Sequence, residues 1–289
     1  MTRSLHAGAA LLLLAVWVAR PVPVRAADSR LPTSEEIESQ YPEGKRLTGL
    51  ELYRRFLHNR LRTSLQRMTV TSIDPAGNRQ MMQMVARWKD YRDDEARPSD
   101  GVIAKTMVQI ERPYDLSKTA YLLIAHKGKP HEQFVYRPSD RRVRRIWLRG
   151  IGLLGTDYTL DDLLFQTLED ADYERRPDAE VAGVPVYVVE ARLRAFLDSE
   201  YERITAYIDK ETYVLLRALY RDDSGTLTRE LVADVDSIEK FDNIWIATRT
   251  TMHNVREGTS STLVVHQLLP DPELEDRLFS PFRLERRHN

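Results

Sequence analysis

The chain has 289 residues, 42% of them hydrophobic and 30% charged, with 43 basic residues set against 44 acidic ones. That length can bury a sizeable core, and so even a charge balance excludes polyanion binding by the overall field, leaving only a local patch for it. The sequence holds no cysteine, which excludes a disulfide-stapled module and any thiolate metal site.

Taken in chain order, Arg3, the 13-residue apolar run AGAALLLLAVWVA from Ala7 to Ala19, and Val24-Arg25-Ala26 ahead of Ala27 read as a secretory signal peptide over residues 1–26. The run falls short of the roughly 20 residues that span a bilayer, so the expected product is a soluble, exported, periplasmic chain. An uncleaved N-terminal anchor is the competing reading. Residues 27–46 form a polar leader, and residues 47–289 are expected to be one domain, because no linker or shift in composition divides them.

The segment LTGLELYRRFLHNRL places Leu50, Tyr53, Phe56, Leu57 and Leu61 at helical spacing, with arginines opposite. From Gln66 the period changes to two. A hairpin turns at Pro75-Ala76-Gly77-Asn78, and Met82, Met84, Ala86 and Trp88 share one face of its returning strand, which Met68 and Val70 can also line. AKTMVQIER, ending at Pro113, is a further strand. Hairpins follow around Lys127-Gly128-Lys129-Pro130 and Pro138-Ser139-Asp140. A helix is expected in TLDDLLFQTLED, capped by Asp157 or Thr159. Strands then resume after Ala182-Gly183, around Asp209-Lys210-Glu211 and Asp223-Ser224-Gly225, and on both sides of Arg256-Glu257-Gly258. The expected fold is mainly β with a few helices: a single antiparallel sheet of ten or eleven strands whose apolar face is covered by closure or by helices.

Catalytic patterns are sparse. His58, His126, His131, His253, His266 and His288 fall in different elements with no HExxH or HxH; only His126 and His131 flank one turn. Ser261 lies in EGTSSTL, which lacks the G-x-S-x-G spacing of a strained nucleophile and reads as a turn. The pairs Asp93-Asp94, Asp161-Asp162, Asp222-Asp223 and Asp234 with Asp236 fit turns and helix starts, and Gly150-Ile151-Gly152 is a lone G-x-G. What accumulates instead is apolar and aromatic residues on alternating strand positions: Met82, Met84, Trp88, Phe134, Tyr136, Tyr187, Val189, Val214, Leu216, Tyr220 and Trp245. These form either a packed core or, in part, the wall of a cavity for an apolar ligand. WLRGIGLLGTDY, with three glycines and two adjacent leucines, suits a flap over such a cavity or an ordinary long connection. The candidate wall and flap residues are Met82, Met84, Trp88, Phe134, Tyr136, Trp147, Leu153, Leu154 and Tyr158.

The hairpin R-P-x-x-R-R-V-R-R-I (Arg137 to Ile146), then G-T-D-Y-T-L-D-D-L (Gly155 to Leu163), then Y-I-D-K-E-T-Y-V-L-L-R (Tyr207 to Arg217) resembles the outer-membrane lipoprotein-sorting, LolA-like family, and its periplasmic branch that accompanies RND-type lipid exporters. The resemblance implies an incomplete barrel of about eleven antiparallel strands lidded by helices, whose interior holds the acyl chains of a lipid or lipoprotein. It implies transfer between membranes without chemistry, no cofactor or metal, an RND-type inner-membrane transporter as partner, transient membrane contact, and no nucleic acid. The family's cavity arginine has no assignable counterpart here, so the cargo stays open between lipoprotein and free lipid. An adaptor subunit that holds no ligand and an exported hydrolase are the competing readings. The arginines of residues 141–145 alternate between both faces of one strand, as a solvated rim would, and can pair with the acids of residues 159–172.

Overall fold

The computed structural model describes residues 47–92, 101–127, 129–147, 152–159, 162, 168–194 and 199–286. The expected signal peptide, the polar leader, Asp93-Asp94, Gly150-Ile151 and most of the helix expected from Thr159 to Asp170 lie outside the described residues.

Helix α1 (Gly49–His58) begins with a capping box: Glu51 N donates to Thr48 Oγ1 at 3.2 Å, and Thr48 N donates to Glu51 Oε2 at 2.8 Å. Fifteen strands follow in the described residues. They are β1 (Thr63–Ile73), β2 (Arg79–Asp90), β3 (Val102–Arg112), β4 (Ala120–His126), β5 (Glu132–Arg137) and β6 (Arg142–Ile146). After the connection come β7 (Ala171–Val181), β8 (Val184–Leu193), β9 (Arg203–Asp209), β10 (Leu215–Arg221) and β11 (Leu227–Ala233). The series ends with β12 (Ile238–Phe241), β13 (Ile244–Ala247), β14 (Arg249–Asn254) and β15 (Thr259–Pro270), before helix α2 (Pro281–Arg286).

Thirteen strands form one antiparallel sheet in the order β6-β5-β4-β3-β2-β1-β15-β14-β11-β10-β9-β8-β7, and β12 and β13 form a separate hairpin. The sheet is therefore open, with β6 and β7 as its end strands, and the expectation of about eleven strands in one sheet is corrected. β7 (ADYERRPDAEV) lacks an apolar alternation and contains Pro177, which an end strand tolerates because one backbone edge needs no partner. NIWIATRTTMHN reads as one strand but breaks at Thr248, whose N–H and Oγ1 both donate to Ser237 O at 2.9 Å and turn β12–β13 away from the sheet.

The register fixes which side chains share a face. Ala86, Val108, Tyr121, Val135 and Arg144 lie opposite one another across β2 to β6, as do Trp88, Thr106, Leu123, Gln133 and Ile146. This is the inner face. Bulges in the pairings of β1 with β15 and of β2 with β3 increase the local twist and help the sheet to curl. On the β8–β11 half, Leu52, Tyr53 and Leu57 of α1 pack against Val189, Ala191, Ala206, Ala218 and Tyr220. Each such buried side chain contributes about 1.5–3 kcal/mol. On the opposite half, the C-terminal segment with Phe279 and Leu284 covers the outer face, against Met107, Leu122 and Tyr136.

α1 meets β7 with no room for a side chain at Gly49. A Cβ there would stand 2.7 Å from Arg175 N and 2.8 Å from Glu174 C, both backbone atoms of a strand paired to β8. Alanine would favour the helix by up to about 1 kcal/mol, but overpacking against backbone costs about 1–3 kcal/mol. Gly49→Ala is therefore expected to lower the urea midpoint by an equivalent of about 1–2 kcal/mol; an unchanged or raised midpoint would show that the contact relaxes without cost.

Candidate functional site

The inner face does not pack solid. A cavity of about 420 Å³ lies between β1–β4 on one side and β10, β11, β14 and β15 on the other. Met68, Val70, Met84, Ala86, Val108, Leu123, Leu231 and Leu263 supply its apolar wall, and Gln66, Thr106 and Thr250 its sparse polar groups. A space of this size lined mainly by apolar side chains with a few polar groups has the character of a small-molecule site.

Three pieces border its mouth. The first is the end of α1, with Phe56, Asn59 and Leu61. The second is the hairpin β12–β13, with Trp245, Ile246 and Ala247. The Asn59 amide joins these two: Nδ2 donates to Trp245 O at 2.9 Å and Oδ1 accepts from Trp245 N at 3.0 Å. An unpaired strand edge is thus satisfied by a side chain 186 residues away.

The third piece is the turn carrying Leu153 and Leu154, both in the lining. Leu153 N donates to Tyr158 O at 2.7 Å, and Thr156 Oγ1 to Leu153 O at 2.8 Å. Leu154 and Gly155 both have positive φ, 60° and 79°, and a Cβ on Gly152 would stand 1.7 Å from Thr156 O. This turn is built for glycine at its start and is anchored at its end. The buried Asp157 carboxylate accepts from Ser261 Oγ at 2.6 Å and from Thr259 Oγ1, while Arg229 Nη1 donates to Asp157 O at 2.6 Å. Tyr158 is held at its hydroxyl by Thr250, 2.8 Å between the two oxygens.

Behind Tyr158 a polar cluster reaches the cavity wall. Asp162 Oδ2 accepts from Thr159 N at 2.7 Å and Thr159 Oγ1 at 2.8 Å, Tyr201 OH donates to Asp162 Oδ1 at 3.1 Å, and Arg229 Nη1 stands 3.9 Å away. The Asp162 side chain is 1% exposed. Burial pushes its carboxyl up to about 6, against the opposing pull of the Thr159 hydrogen bonds and the Arg229 guanidinium. Burial also pushes the hydroxyls of Tyr158, Tyr201 and Tyr220 up.

Of the residues proposed from sequence, Met84, Trp88, Leu153, Leu154 and Tyr158 line the cavity. Met82 is on the same face but buried beneath it, packed with Met68, Val70 and Ile110. Phe134 and Tyr136 lie on the outer face, under the C-terminal segment. Trp147, just past β6, is 56% exposed. Sequence reasoning missed Asn59 and the β12–β13 hairpin. Asp157 anchors across to β15 through Ser261 and Thr259, and Thr159, the other cap candidate, bonds to Asp162. Ser261 lies within β15, fully buried, and not in a turn. His126 and His131 do meet, His126 N donating to His131 Nδ1 at 3.0 Å. No group of three or more His, Asp or Glu side chains placed to hold a metal occurs among the described residues. No helix among them is long and apolar enough to cross a membrane.

A family model described as that of an uncharacterized protein matches residues 103–286, more than half of the chain. The chain belongs to that family. Its fold is LolA-like, as solved structures show. An outer membrane lipoprotein-sorting protein domain from Vibrio parahaemolyticus superposes with a TM-score of 0.72 at 22% identity, over 82% of this chain and 98% of that one. A DUF1329 family protein from Desulfovibrio piger gives 0.74 at 22% identity, over 82% and 97%. A LolA superfamily protein from Nitrosomonas europaea gives 0.62 at 13% identity, over 81% and 98%. At these identities the likeness carries the LolA-like fold alone. Comparison with curated proteins found no significant match.

Proposed function

We propose that the chain is a periplasmic carrier that holds a lipid, or the acyl chains of a lipidated partner, in the cavity of its LolA-like sheet and moves it between membranes without chemistry. The observation that supports this is the cavity itself: an apolar wall contributed by seven strands, bordered by the end of α1, the β12–β13 hairpin and the Leu153–Leu154 turn. Each methylene carried through water exposed would cost about 0.8 kcal/mol, and a concave apolar space removes that cost for the methylenes it covers. The few polar groups at the wall, Gln66, Thr106 and Thr250 among them, suit an amphiphile with one small polar end. The signal peptide expected over residues 1–26 supports a journey between the two membranes, and an RND-type transporter would serve as donor or acceptor.

Native mass spectrometry of the purified protein, followed by solvent extraction, is expected to release an amphiphile in stoichiometric amount, and the emptied protein to take up a fluorescent fatty acid from solution. A protein that emerges empty and takes up no probe would sink the carrier reading and favour an adaptor that holds no ligand.

A further inference from the structure

The sequence from residue 137 to 149 contains six arginines and one acid, in a chain whose net charge is −1. The structure puts three of these arginines, Arg142, Arg144 and Arg145, on β6, an end strand of the sheet. Arg142 and Arg144 face inward and Arg145 outward, so both faces of the rim are cationic. Asp140, the acid within this run, pairs with Arg144 at 3.1 Å, an ion pair in which the Arg144 side chain stays 65% exposed. Trp147, at the end of the strand, and Phe282, on α2 packed against β4–β6, are each 56% exposed. Large aromatics beside arginines on an exposed rim are the composition of an interfacial anchor, rings at the headgroup level and guanidinium groups on anionic lipid.

We infer that the β6 rim, with Trp147 and Phe282, docks the protein on an anionic bilayer surface. Charge on both faces of the edge strand disfavours a second β-strand as the occupant, whereas a planar array of lipid phosphates meets both faces at once. In sequence, Leu153 of the cavity lining follows Trp147 by six residues. This inference stands apart from the carrier reading, because a rim can dock whether or not the cavity is filled.

The test is co-sedimentation of the purified protein with vesicles of phosphatidylcholine alone or containing phosphatidylglycerol, at low and high salt. Binding is expected only with phosphatidylglycerol and is expected to weaken as salt rises. The double variant Arg142→Glu and Arg145→Glu should bind about tenfold or more weakly, Trp147→Ala several-fold more weakly, and both should melt like the parent because these side chains are exposed. Equal binding by the double variant, or none by the parent, overturns the inference. Met84→Glu separates the two readings: lost probe uptake with retained vesicle binding leaves the rim intact, and loss of vesicle binding in that variant would mean that lipid is held through the cavity and would overturn docking by the rim.

Discussion

Glutamate in place of Met84 is expected to abolish uptake of an acyl probe while Met81→Glu, three residues earlier on the same strand, leaves it unchanged. Met84 is 7% exposed and faces the cavity beside Met68 and Val70, whereas Met81 on the opposite side of β2 is 57% exposed. A carboxylate held at the cavity wall without a partner costs several kcal/mol once ligand displaces the water around it. At about 1.4 kcal/mol per decade, that is a hundredfold loss of affinity or more. Because an added charge can also unsettle the core, Ala86→Phe provides the apolar counterpart. Ala86 lines the same cavity, and a ring there fills the space without burying a charge, so the protein should stay folded and lose the probe. Uptake undiminished in both folded variants would place the ligand elsewhere.

How far this site was legible in the sequence depended on the range of the interaction. The period of two placed Met84, Ala86 and Trp88 together, because alternation within one strand is a local property. It could not say that Phe134 and Tyr136 face the other way. Which parity turns inward is passed from strand to strand through turns and bulges, and the bulge between Gln83 and Met84 lies on that path. Nor could it foresee that Phe279 and Leu284, far along the chain, would cover the outer aromatics. Those aromatics are core, and the cavity is lined by their neighbours.

The bordering elements were hidden for the same reason. Asn59 looks like an ordinary residue after a helix, and only the fold brings Trp245 to its amide. Gly49 reads as a weak helix former until β7 is placed against it. The arginines of β6, by contrast, follow the alternation read from sequence, Arg142 and Arg144 on one face and Arg145 on the other. Arg144 pairs with the local Asp140, and Asp161, one of the acids expected from sequence to face this strand, lies outside the described residues.

Asp162 is expected to make the protein less stable as pH rises from about 4 to about 6, an effect that Asp162→Asn should remove. The folded state binds the proton more tightly than the unfolded chain, because burial lifts this carboxyl from 3.8 to about 6. Between those values the native state holds more protons, so stability falls with rising pH. A move from 3.8 to about 6 corresponds to roughly 3 kcal/mol. The groups facing the carboxylate are Thr159 from its own segment, Tyr201 before β9, and Arg229 of β11, itself 3.5 Å from Glu200. Asp90 runs the opposite way. Held below its usual value by Arg92 and Arg60 despite partial burial, it contributes stability above the unfolded value that is lost as pH falls. The parent curve therefore mixes both trends, and the difference between parent and Asp162→Asn isolates one. Urea midpoints at pH 4, 5, 6 and 7 should show the variant gaining on the parent as pH rises, and a constant difference across that range would mean that Asp162 titrates as an ordinary carboxylate. Since Asp162 also stands at the cavity wall, its ionisation opposes an apolar occupant there, so probe affinity in the parent should fall over the same pH window and stay level in the variant.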